Sequence, residues 1–121
     1  MRKTLKPQNI VRFWLIKLSK SQVASKEMKL YDHTVEFHIS GSSPFRVAFS
    51  NGHALLKKGG IKNPMPANVT LFETDSSNLQ QLLLGELSFT KAWLSGKVFL
   101  EGILRHRTWV ARLIKIGKTE I

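Results

Sequence analysis

Apolar residues recur along this chain with two periods, and the switches between them mark out its elements. From Asn9 to about residue 27 the period is helical: Ile10, Val11, Trp14, Leu15 and Leu18 share one face, and Asn9 stands where an N-cap would. Phe13, Ile16, Val23 and Ala24 fall on the other side, among Arg12, Lys17 and Lys20. One apolar face seats such a helix on a domain; the second calls for another role.

A period of two follows. "TVEFHIS" at 34–40 sets Val35, Phe37 and Ile39 on one face, and "PFRVAFS" at 44–50 does the same with Phe45, Val47 and Phe49. "GSSP" between them is a turn, and "NG" at 51–52 predicts a tight hairpin into "HALLKKG". After a loop, "GGIKNPMPAN", the segment "VTLFET" at 69–74 reads as a fourth strand with Val69, Leu71 and Glu73 inward. Glu73 then lies either at the wet end of that strand or against a cavity.

Helical spacing returns in "DSSNLQQLLLGE", with Leu79, Leu82 and Leu83 aligned, and in "SFTKAWLSG", which Ser88 caps and Gly96 stops. In the strand 97–101, Val98 and Leu100 point in and Lys97, Phe99 and Glu101 point out. A last helix, about 103–116, gathers Ile103, Trp109, Val110, Leu113, Ile114 and Ile116 on one arc. Its other arc is basic, with Leu104 and Ala111 as apolar intruders. The order predicts an α+β fold, a mostly antiparallel five-stranded sheet with helices on one face. A chain of 121 residues reads as a single domain, 1–121, in which residues 1–30 form a basic arm and N-terminal helix.

Charge changes this picture more than composition does. Nineteen Lys and Arg against eight Asp and Glu give +11, a field that attracts anionic membranes, nucleic acid or acidic proteins. Cysteine is absent, which removes disulfides and thiolate chemistry together and fits a cytoplasmic protein. Arg12 and Lys17 interrupt the longest apolar block, which is too short to span a bilayer and too charged for a signal peptide. His33, His38, His53 and His106 have no metal-ligand spacing, no phosphate-loop motif occurs, and no nucleophile–base set is visible. The expectation is therefore a protein that is not an enzyme and needs no cofactor or metal. "RHRTWVAR" at 105–112 sets cations beside Trp109, but the wheel turns that ring to the apolar arc, so nucleic-acid binding is an unfavoured alternative.

The ordered set from 67 to 116 resembles the lipid-binding domain of the sterol carrier protein type 2 family. Val69-Thr70-Leu71, Asp75, the run Leu79 to Leu84, Gly85-Glu86-Leu87, Ser95-Gly96-Lys97 and Gly102 follow that family's sequence of strand, turn, helix, helix, strand and closing glycine. The resemblance implies a sheet and helices enclosing an apolar pocket that carries a sterol, fatty acyl or isoprenoid chain, or presents it to a lipid-modifying enzyme system. It departs from the family pattern at Phe89, where proline is usual, at Glu73 and Ile103, and at Phe72 and Phe99. The candidate lining residues are Leu83, Leu87, Phe89, Trp93, Trp109 and Leu113. Arg12, Lys17 and Lys20 are candidates for a membrane surface. Phe72 and Phe99, expected side by side on the open sheet face, are candidates for a homodimer or protein partner.

Overall fold

The computed structural model describes residues 6–60 and 67–119, with side chains through residue 117; the start of the basic arm and the middle of the 59–68 loop lie outside the described residues. Helix α1 (Pro7–Ser19) starts at Pro7, whose fixed φ suits the first helical position. Ser21 then caps a separate helix, α2 (Gln22–Met28), its hydroxyl accepting from the Ala24 amide at 3.1 Å. The single helix expected over 9–27 is thus two. Asn9 is not a cap either; its side-chain oxygen accepts from the Arg12 guanidinium at 3.3 Å. The break turns Ala24 into the core and leaves Phe13, Ile16 and Val23 half exposed.

Five strands follow the predicted order: β1 (His33–Ile39), β2 (Phe45–Ser50), β3 (His53–Lys58), β4 (Val69–Thr74) and, after helices α3 (Ser76–Leu83) and α4 (Phe89–Leu94), β5 (Phe99–Glu101). Helix α5 (Leu104–Thr119) closes the chain. In space the strands run β3-β2-β1-β4-β5, with β1 and β4 parallel and every other pair antiparallel.

The β1–β4 register corrects the sequence expectation. Val35 stands opposite Thr70, Phe37 opposite Phe72 and Ile39 opposite Thr74. Residues paired across neighbouring strands share a face, so Phe72 lies on the core side and Val69, Leu71 and Glu73 on the other. Phe72 is fully buried, its ring 5.0 Å from that of Phe37. The aromatic pair expected on the open face does not exist: Phe72 faces Leu100 and Phe99 faces Glu73. Alternation could not decide, because both sets of "VTLFET" contain large apolar residues. Glu73 is exposed, at the wet end of its strand. Val69 and Leu71 are buried on the far face, as is the carboxylate of Glu36, against which Gly60 lies. The chain leaving β3 therefore reaches this face.

One core joins the sheet to the helices. It holds Trp14, Trp109, Phe37, Phe45, Phe49 and Phe72 as its largest members. Trp109 packs edge-on to Phe49 at 5.1 Å and donates its indole N–H to the Glu27 carbonyl at 2.6 Å. Trp14 donates to the Leu113 carbonyl at 3.3 Å, and its ring lies so close to Gly117 that a Cβ there would sit 2.6 Å away. Only glycine permits that approach of α1 to α5.

Candidate functional site

Helix α4 begins with Ser88, whose hydroxyl accepts from the Lys91 amide. It ends at Gly96, which adopts φ +75 while the Lys97 amide reaches back to the Ala92 carbonyl at 2.8 Å. Between these caps Phe89 and Trp93, four residues apart, present one face toward α5. A cleft of about 290 Å³ lies between the two helices, walled by Phe89, Trp93, Leu100, Leu104 and Ala111. Thr90, Thr108, Arg107 and Lys115 complete its rim. Leu104, Thr108, Ala111 and Lys115 form one stripe along α5 at helical spacing.

The aromatic wall continues to the sheet edge. Phe89 and Trp93 have ring centroids 6.3 Å apart, and Trp93 and Phe99 lie 6.2 Å apart with nearly parallel planes. Phe99, half exposed on the edge strand, thus leans on the wall of the cleft rather than on Phe72.

Of the candidate lining residues, Phe89 and Trp93 line this cleft. Leu83, Trp109 and Leu113 are buried members of the core, and Leu87 packs against it half-buried. Leu100, read only as an inward strand residue, and Leu104 and Ala111, the two apolar intruders on the basic arc of the last helix, are the apolar lining residues that sequence reasoning passed over. For Leu104 and Ala111, misplacement on an otherwise charged arc was the available signal. Arg12 on α1 and Lys20 at its C-cap are exposed and Lys17 is half-buried; none of the three is among the cleft's lining residues.

A wider groove of about 680 Å³ crosses the ends of β1 and β4 and the start of α3. Ser40, Ser42, Glu73, Asp75 and Lys97 make its lining largely polar, so it offers no continuous apolar wall. Size alone would favour this groove; the chemistry of the walls favours the smaller cleft.

Sequence reasoning also passed over a buried pair, His33 and His106, with ring centroids 4.2 Å apart. His33 shares a 2.6 Å hydrogen bond with the Thr70 hydroxyl, and Tyr31 packs edge-on to His106. Burial, with His106 adding repulsion, lowers the His33 pKa to about 4. Burial and then Arg105 lower that of His106, against a hydrogen bond with the Ala67 backbone. Both rings are therefore neutral near pH 7. Among the described residues, no group of three or more His, Cys, Asp or Glu could hold a metal ion.

No protein-family profile and no curated protein matches the chain in sequence. Solved structures do match it in shape. A UbiJ-SCP2 ubiquinone synthesis protein superposes with a TM-score of 0.68 at 15% identity, over 92% of this chain and 94% of that one. The sterol carrier protein domain 2 of Helicoverpa armigera gives 0.70 at 12%, over 99% and 98%. Sterol carrier protein 2 of Aedes aegypti, solved in complex with palmitate, gives 0.63 at 13%, over 94% and 98%. With nearly the whole length of each chain superposed at so low an identity, what is shared is the backbone: the chain has the fold of the sterol carrier protein 2 family.

Proposed function

We propose that this protein binds the hydrocarbon chain of a lipid, without catalysing a reaction, in the cleft between α4 and α5. The observation that carries the proposal is the cleft itself: five apolar side chains from three elements converge there, and all but the buried Leu100 are at least partly exposed. The palmitate held by the Aedes aegypti protein of the same fold supports the ligand class. Each methylene withdrawn from water contributes about 0.8 kcal/mol, so about ten give some 8 kcal/mol before ordering costs, enough for micromolar binding. Presentation of the bound lipid to a modifying enzyme fits the same geometry, because Trp93 and Leu104 leave the cleft open at the surface.

The outer side of α1 serves, in this proposal, to dock the protein on an anionic leaflet. Phe13 and Ile16, with Val23 of α2, are half exposed beside Arg12, Lys17 and Lys20, the arrangement of an interfacial helix. Among the described residues, no helix is long and apolar enough to cross a membrane. Mass spectrometry of organic extracts of the purified protein tests the ligand proposal. A stoichiometric lipid that is lost on Leu104→Glu is the expected result; a protein that neither carries nor takes up any lipid would reject it.

A further inference from the structure

The lining of the cleft is not uniformly apolar. Arg107 and Lys115 are among its lining residues, and among the described residues the lining contains no aspartate or glutamate. Arg107 is half-buried, and its Nε is shielded from solvent without a hydrogen-bond partner among the described residues. This separates it from Arg112 on the same helix, whose Nε lies 3.4 Å from the Glu27 carboxylate. A buried guanidinium N–H with no acceptor is costly, and a ligand that supplied one would remove that cost.

We infer that the ligand is an anionic amphiphile whose carboxylate or phosphate head is held by Arg107 and Lys115 while its chain lies against Phe89, Trp93, Leu100, Leu104 and Ala111. The inference rests on the lipid-binding proposal above and narrows it. Arg107 lines the cleft, and a guanidinium is a planar fork whose shape matches two oxygens of one anion. Lys115, two turns further along α5, adds a second positive charge without a fixed geometry. A neutral hydroxyl head would leave the half-buried Arg107 uncompensated as the chain displaced water from around it. A bulky neutral ring system would do the same, in a cleft that lies near the lower limit of ligand pockets, roughly 300 Å³.

The test compares dodecanoate, dodecyl phosphate and dodecanol as probes for the full chain, read by tryptophan fluorescence. At least one anionic probe is expected to bind ten-fold or more tighter than dodecanol, equivalent to about 1.4 kcal/mol. The ratio should fall close to one in Arg107→Met/Lys115→Met, recover in part with Arg107→Lys, and persist in Lys57→Met, which removes a cation on β3 far in sequence from the cleft. Circular dichroism of each variant establishes that it is folded, and Lys115→Met alone keeps the test available should Arg107→Met unfold. Equal affinity for all three probes, or a preference that survives the double variant, would overturn the inference while leaving lipid binding in place. Inorganic phosphate that competes as well as dodecyl phosphate would also overturn it, because the chain would then be irrelevant. Failure of every probe to bind would overturn the lipid-binding proposal itself.

Discussion

Two phenylalanines in neighbouring strands, Phe72 and Phe99, have opposite energetic roles. Phe72 is enclosed by Phe37 and Leu100, so Phe72→Ala should cost about 3–5 kcal/mol and lower the urea midpoint accordingly. Phe99 is half exposed and touches Trp93, so Phe99→Ser should cost about 1 kcal/mol or less while changing Trp93 fluorescence. Equal losses for the two would contradict the register. His33 makes a different prediction. Its folded pKa of about 4 lies below the ordinary 6.5, so between those values the unfolded chain binds more protons. Stability should therefore be full above pH 6.5 and fall as the pH drops toward 4, with the lowered pKa of His106 acting in the same direction. Urea midpoints at pH 7 and pH 4.5 check this: His33→Gln, whatever its absolute stability, should show the smaller drop between the two, and an unchanged drop would contradict it.

At the scale of elements, caps and close approaches decide where the helices end and how they lie. Loss of the hydroxyl in Ser21→Ala removes the cap of α2 and should cost about 0.5–2 kcal/mol in thermal or urea unfolding. Nearly every element could be read from the sequence, because periodicity and caps are local: Ser88, Gly96 and the "NG" hairpin stand where expected. The break at Lys20–Ser21 could not, since the apolar period runs on across it and a serine inside a helix looks like any other polar residue. The inner face of β4 was hidden for a different reason. It is set by pairing with β1, thirty-five residues earlier in the chain, and only the register shows that Phe72 belongs with Phe37. The cleft was half legible. Phe89 and Trp93 follow from their spacing, but Leu104 and Ala111 acquire meaning only once α4 lies beside α5. The buried pairing of His33 with His106 likewise joins residues far apart in sequence and leaves no local trace.

For the molecule as a whole, a charge of +11 is joined to an exposed apolar strip on α1, while a separate apolar cleft lies between α4 and α5. Near an anionic leaflet each Lys or Arg adds about 1 kcal/mol, so Lys17→Glu/Lys20→Glu should weaken co-sedimentation with vesicles containing phosphatidylserine by ten-fold or more. Added salt should weaken the wild type in the same direction, and insensitivity to both would contradict docking through α1. The central claim is that a hydrocarbon chain occupies the cleft between α4 and α5. Its most direct test is a titration of wild type and Ala111→Phe with a fluorescent fatty-acid probe. Ala111 is half-buried on the wall, so a larger ring there fills the cleft without entering the main core. Micromolar binding by wild type and at least a ten-fold loss in a folded Ala111→Phe variant is the predicted result; equal binding by both proteins would contradict the account.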